Sequence, residues 1–218
     1  EKRAAEAPQH EEELHPTINV TLADGSKTAL DVGRLRFIVE EATADLDNVD
    51  GERILEDTLR NLYDGIPTKE VSTALVMTSR VLVEEEPNYS QVTARLLMDI
   101  IRAEGLSFMG LAENATHSEM HALYPQALAA YIKKASELEL VSDELNQYDL
   151  EKLGAAIEVD RDLQFGYLGL QTLYDRYFIH SNETRFELPQ VFFMRVAMGL
   201  ALEEENREDR AIEFYRLL

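Results

Sequence analysis

Hydrophobic positions along this chain recur at two spacings, and the change between them organises it. Ile18-Asn19-Val20-Thr21-Leu22 and Lys27-Thr28-Ala29-Leu30 are β-compatible runs around Ala23-Asp24-Gly25-Ser26. An Asp-Gly turn between such runs predicts a β-hairpin. Asp31 then stands where it can cap a helix carrying Leu35, Ile38, Val39, Ala42 and Leu46 on one face. A second helix is predicted from Gly51 to Tyr63, with Ile54, Leu55, Leu59 and Leu62 inward, stopped by Tyr63-Asp64-Gly65-Ile66-Pro67. Thr68 takes the N-cap position of a third helix, with Val71, Leu75, Val76, Val81, Leu82 and Val83 as core. Pro87-Asn88 breaks that pattern, and a fourth helix runs through Val92, Leu96, Leu97, Ile100 and Ile101. A hairpin and four helices thus close a unit near Gly105.

From Ser107 onward the pattern is almost wholly helical: Leu123 to Leu140, Asp149 to Ile157, Asp162 to Phe178, Pro189 to Leu202 and Glu208 to Leu218. Pro189 suits a first helical turn, where its missing N–H costs nothing. Ile179 to Leu188 is expected to be a loop or small hairpin. Glu1 to Pro16, with Glu11-Glu12-Glu13 and no hydrophobic period, is expected to be an acidic tether. The fold class is therefore mainly α, in three parts: a tether over 1–16, a hairpin-plus-four-helix unit over 17–105 and a helical domain over 106–218.

Composition sharpens this outline. Of 218 residues, 45% are apolar and 29% charged, ordinary values for a chain able to bury a core. The net charge of −21 repels phosphate backbones and anionic lipid, which argues against nucleic-acid and membrane partners. With no cysteine there is no disulfide, thiolate metal site or cysteine nucleophile. No apolar run reaches the roughly 18 residues of a membrane span, and no basic-then-apolar leader precedes the fold, so a cytoplasmic location is expected. The first residue is Glu1 rather than Met, and Arg216-Leu217-Leu218 falls inside an amphipathic pattern, so both ends are expected to continue into a longer protein.

Few side chains carry chemistry. Asp160-Arg161-Asp162 is read structurally, with Asp162 capping the following helix and Arg161 pairing with a carboxylate; a catalytic acid–base pair would need a pocket and perturbed pKa values. His117 and His121 share one helical face, but the metalloprotease motif has Glu where Ser118 stands, so they are read as solvent-exposed histidines near a loop. Arg161, Arg176, Arg185 and Arg195 interleave with Tyr167, Tyr174, Tyr177 and Phe178. That pattern resembles a stacking platform for single strands, but the surrounding acidity and the helical spacing make the aromatics core. Glu84-Glu85-Glu86 and Glu203-Glu204-Glu205 are read as solvated helix ends, because adjacent helical residues do not face one another. No catalytic, cofactor-binding or metal-binding residue is assigned.

In order along the chain, the Asp24-Gly25-Ser26 turn, the Asp31 to Leu35 helix start, Tyr63-Asp64-Gly65-Ile66 with Thr68, and Pro87-Asn88-Tyr89 to Ala94-Arg95-Leu96 make Ile18 to Leu97 resemble an ATP-cone. This is the small nucleotide-sensing domain at the front of many ribonucleotide reductase catalytic subunits. Asp160-Arg161-Asp162, Phe165-Gly166-Tyr167, Leu173, Tyr177-Phe178, Pro189-Gln190 and Met194-Arg195-Val196-Ala197 resemble the helical N-terminal domain of the class I large subunit. The resemblance implies that the intact subunit reduces ribonucleoside diphosphates to deoxyribonucleotides by thiyl-radical chemistry. It also implies a homodimer of large subunits and a separate, radical-generating small subunit. The catalytic cysteines belong to a ten-stranded barrel, before which this chain is expected to stop.

The departures from the cone pattern matter as much as the matches. Where nucleotide-binding cones of the family place a Lys-Arg pair before the turn, this chain has Leu22-Ala23, and Ser72 stands for a usual His. Arg34 and Thr68 match, and Lys27 is the one basic residue between Ile18 and Asp31. A triphosphate of roughly −4 charge needs several cations or N–H donors. The resemblance therefore implies a degenerate cone without a ligand, with ATP or dATP acting at an upstream cone, of which Lys2-Arg3-Ala4-Ala5-Glu6 resembles the last helix. The part present would be architectural or relay an allosteric signal. Two other readings stay open. One is a free-standing regulator such as the zinc-ribbon repressor that carries a cone, although its cysteine pairs are missing here. The other is a plain helical interaction module.

Overall fold

The computed structural model describes residues 18–22 and 24–218. The expected tether over Glu1 to Pro16, the helix end at Lys2 to Glu6, and Ala23 in the turn lie outside the described residues.

The predicted hairpin forms: β1 (Asn19–Thr21) pairs antiparallel with β2 (Lys27–Ala29), Val20 facing Thr28. Its turn is held by Asp24, whose Oδ1 accepts the Ser26 N–H at 2.9 Å and the Ser26 hydroxyl at 2.6 Å. α1 (Val32–Thr43) starts on the predicted cap, Asp31 accepting the Arg34 N–H at 2.9 Å, and buries Leu35, Ile38, Val39 and Ala42. Leu46, expected on that face, lies past its end. α2 (Gly51–Asn61) buries Ile54, Leu55 and Thr58, with Leu59 and Leu62 partly covered.

The stop after α2 does more than end a helix. Ile66–Pro67 forms β3, parallel to β1, so the hairpin becomes a three-stranded sheet in the order β2-β1-β3. Pro67 occupies the cap position of α3 (Thr68–Val81), and Thr68, the expected N-cap, is its first residue. The Thr68 hydroxyl instead donates to the Thr21 carbonyl at 3.1 Å. Val71, Leu75, Val76 and Leu82 are buried, but Val81 is 70% exposed because the helical period carries it to the face of α3 opposite Val71, Leu75 and Val76.

α4 (Tyr89–Met109) continues through Gly105 and ends at Gly110, whose left-handed φ of +70° permits the helix C-cap. One side of α4 lies against α1 and α3; the other meets the later helices.

α5 (His117–Glu137) begins six residues before the predicted Leu123. Thr116 and Glu119 make a reciprocal capping box that sets this start, and the helix continues through Pro125, a residue that by itself argues for a break. α6 (Leu150–Ala155) follows, capped by Asp149 through the Lys152 N–H at 2.9 Å. The helix predicted over Asp162 to Phe178 is two elements: a 3₁₀ segment, Val159–Gln164, and α7 (Tyr167–Arg176) after a bend at Phe165-Gly166. A small hairpin, β4 (His180–Ser181) with β5 (Thr184–Arg185), precedes α8 (Pro189–Leu200) and α9 (Arg207–Leu217). Pro189 opens α8 in its first turn, as its sequence position requires. The buried apolar residues form one continuous core from Val20 to Tyr215.

α6 packs against α5, and Gly154 faces the Pro125 backbone at close range. A Cβ on Gly154 would stand 2.9 Å from the Pro125 Cα and 3.0 Å from its carbonyl oxygen. Gly154→Ala gains about 1 kcal/mol of helix propensity, but overpacking against backbone that cannot yield costs about 1–3 kcal/mol. The variant is expected to unfold at a lower temperature than the parent, as read by thermal denaturation.

Candidate functional site

Two places collect the residues singled out in the sequence: the open end of the three-stranded sheet, and the 3₁₀ segment around Asp160.

At the sheet end, Asn19 donates its backbone N–H and its Nδ2 to Asp64 Oδ1, both at 2.8 Å. These bonds, the Asn19 N–H first, hold the Asp64 carboxyl below its ordinary range, helped by the charge of Lys27. Lys27 Nζ lies 3.3 Å from where a Cβ on Gly65 would be. Arg34 reaches Asp99 Oδ1 at 3.5 Å, and burial raises the Asp99 carboxyl against that attraction. Thr68 is bonded to Thr21, and Ser72, on α3, is half-buried. Asn19 with Asp64 and Thr21 with Thr68 thus contact one another, and Arg34 is held by Asp99.

The Pro87 to Leu96 stretch is also spent on packing. The Asn88 Nδ2 donates to the Asp47 carbonyl at 2.9 Å, and the Tyr89 hydroxyl accepts the Asp50 N–H at 2.8 Å. Arg95 donates to the carbonyls of Ala42 and Ala44 at 3.2 and 2.6 Å, covering the C-terminal end of α1.

Around Asp160 the structure corrects two assignments. Asp162 caps no helix: it is 3% exposed, and it accepts the Tyr124 hydroxyl at 2.6 Å and Gln190 Nε2 at 2.8 Å. Gln190 Oε1 in turn accepts the Tyr215 hydroxyl at 2.8 Å, so α5, α8, α9 and the 3₁₀ segment meet in one buried polar chain. Burial pushes the Asp162 carboxyl up, although Tyr124, Gln190 and the charge of Arg102 pull the other way. Burial likewise pushes the Tyr124 hydroxyl up, with the Asp162 charge adding to it. Arg161 pairs with no carboxylate within ion-pair distance among the described residues; it donates to the Tyr215 carbonyl at 2.8 Å and lies 5.0 Å over the Tyr215 ring.

The other candidates separate. Arg185 covers the Tyr174 ring at 4.6 Å, Arg80 the Tyr167 ring at 5.5 Å, and Arg195 the Phe192 ring at 5.4 Å, so the arginines form no common stacking face. Tyr167 and Phe178 are core as expected, but Tyr177 is 57% exposed because α7 ends at Arg176. Glu85 makes a two-bond contact with Arg53 at 2.7 and 2.9 Å, Glu86 accepts the Asn88 N–H at 3.0 Å, and Glu204 meets Arg210 at 3.3 Å. His117 is less open than its predicted loop position implied, its side chain being 15% exposed, while His121 is 56% exposed.

Sequence reasoning passed over Glu187. It is fully buried, accepts the Ile179 N–H at 2.9 Å, and binds Arg195 through contacts at 2.5 and 3.2 Å. A lone acid in Phe186-Glu187-Leu188-Pro189 is the signal that marks it, since a buried carboxylate requires a partner.

Helices meeting on a buried Asp–Tyr–Gln chain, built from the segments whose residues resemble a reductase, define a mainly helical domain. The profile described as "Ribonucleotide reductase, all-alpha domain" matches residues 163–218. A ribonucleoside-diphosphate reductase subunit alpha from Chlamydia muridarum (strain MoPn / Nigg) is 36% identical over 214 residues, 98% of this chain and 20% of that protein. The corresponding subunit from Helicobacter pylori (strain ATCC 700392 / 26695) is 31% identical over 204 residues, 92% of this chain and 24% of its own length. A ribonucleoside-diphosphate reductase large subunit from Plasmodium falciparum (isolate Dd2) is 27% identical over 174 residues, 78% of this chain and 20% of its own. The chain spans about a fifth to a quarter of the curated relatives it matches. It belongs to the ribonucleotide reductase large-subunit family, as an N-terminal part of that subunit.

Proposed function

We infer that these residues serve as a non-catalytic, architectural part of a class I ribonucleoside-diphosphate reductase large subunit, with residues 17–105 forming a degenerate ATP-cone and 106–218 its helical neighbour. The intact subunit is proposed to reduce ribonucleoside diphosphates to deoxyribonucleotides by thiyl-radical chemistry, as a cytoplasmic homodimer served by a radical-generating small subunit. The names of the relatives support the activity, and a chain of 218 residues with no cysteine is in keeping with reactive sulfurs in other parts of the subunit. ATP and dATP are proposed to act at a separate cone, whose signal this unit relays by favouring one assembly over another.

One observation carries the degeneracy. Arg34 and Thr68, the groups that match nucleotide-binding cones, are already engaged by Asp99 and the Thr21 carbonyl, and the nearest cation, Lys27, sits beside Asp64. A triphosphate would have to break these contacts and still lack cations for its charge. Isothermal titration of the chain with ATP and with dATP is therefore expected to show no saturable binding into the millimolar range. A micromolar dissociation constant for either nucleotide would overturn the reading.

A further inference from the structure

At the start of α5, two imidazoles and a carboxylate from a distant segment converge. His117 Nε2 lies 3.0 Å from Asp160 Oδ1, His121 Nε2 lies 3.5 Å from the same oxygen, and the three donor atoms all fall within 4.8 Å of one another. The i,i+4 spacing puts both rings on one helical face, and the 3₁₀ segment swings Asp160 over them. Sequence spacing alone could not supply this third donor.

We propose that His117, His121 and Asp160 bind a borderline divalent metal ion of the zinc class. In a tetrahedral site with bonds of about 2.0–2.1 Å, neighbouring donor atoms are about 3.3 Å apart; the two separations to Asp160 bracket that distance. A plain hydrogen-bond clasp explains them less well. His117 reaches Asp160 at hydrogen-bond length, whereas His121 Nε2 stops 3.5 Å from the same oxygen, too far for a good hydrogen bond. Two imidazoles with one carboxylate suit zinc, copper or nickel rather than calcium or magnesium, which take oxygen ligands. Asp160 is 76% exposed and His121 56%, so the remaining coordination position opens to water.

The negative charge for the cation comes from Asp160, because Glu41, which accepts the His117 N–H at 2.7 Å, also meets Arg102 at 3.4 Å, and Glu119 is engaged by Thr116. The positive end of α5 opposes a cation, and a second feature limits affinity. Binding through Nε2 places the His117 ring proton on Nδ1, which is buried without a hydrogen-bond partner, whereas tight zinc histidines donate that proton to an acceptor. Micromolar rather than structural-zinc affinity follows. The bound ion would fasten the start of α5 to the 3₁₀ segment that precedes α7.

The test is titration of the full chain with zinc chloride by calorimetry, and with cobalt chloride by visible absorption, for the parent, His121→Ala, Asp160→Asn and His180→Ala. Both ligand variants alter exposed side chains, so circular dichroism is expected to show them folded. One zinc per chain in the parent, loss of affinity by at least about tenfold in His121→Ala and Asp160→Asn, unchanged binding in His180→Ala, and a tetrahedral cobalt spectrum would bear the site out. Zinc binding that survives in the two ligand variants, that falls equally in His180→Ala, or that is absent from the parent would overturn it.

Discussion

Replacement of Glu187 by alanine is expected to lower the unfolding free energy by about 3 kcal/mol, the lower end of the range for breaking a buried ion pair. The carboxylate is fully buried and takes three donors, two from Arg195 and one from the Ile179 N–H. Removing it strands a cation and an amide together. The loss stays near the lower bound because the Arg195 side chain keeps 20% of its exposure and rests on the Phe192 ring. Glu187→Gln fills the same space but turns an N–H₂ group toward a donor, so it is expected to cost about 1–3 kcal/mol. Urea denaturation checks both: the midpoint is expected to fall in the order parent, Gln, Ala, with an unchanged slope. Equal midpoints would mean that the pair contributes nothing.

Asp162→Ala is the second large effect. It leaves the buried Tyr124 hydroxyl and Gln190 Nε2 without their acceptor, at about 1–3 kcal/mol for each stranded group. Asp162→Asn behaves differently. Its Oδ1 still accepts from Gln190, and the Tyr124 hydroxyl rotates to accept from the new amide, so the chain of bonds survives without the charge. The pH dependence follows from the raised pKa of the native Asp162. Between the ordinary carboxylate value and the raised native one, the folded state binds more protons than the unfolded state, so this group's contribution to stability falls as pH rises through that window and is level above it. Asn does not titrate. The stability of Asp162→Asn relative to the parent is therefore expected to climb from about pH 4, the ordinary Asp value, and then flatten, as followed by urea midpoints at a series of pH values. A difference that shrinks with rising pH would refute the assignment.

Local signals made much of the fold readable. Asp31, the Asp-Gly turn, Pro189 and the apolar faces of α1 and α2 act within one turn of chain, so their structure follows from neighbours in sequence. Ile66 and Pro67 read only as a stop because their partner, β1, lies far back in the chain, and parallel pairing leaves no local mark. The apolar pattern starts α5 at Leu123, whereas the Thr116–Glu119 box sets its start at His117. Asp162 reads as a cap because Asp before a helical run usually is one. Its actual partners come from α5 and α8, and no spacing rule connects them. The convergence of His121 on Asp160 was hidden for the same reason.

α4 is a single helix of 21 residues, about 31 Å long at 1.5 Å per residue. It touches α1 and α3 on one flank and α5, α7 and β5 on the other, so it behaves as a shaft common to both halves. By the same geometry, a pivot of only 5° about one end would sweep the other by roughly 3 Å. Were α4 to pivot as a rigid body, a disturbance where the sheet meets α3 would reach the helices beyond by leverage and not residue by residue.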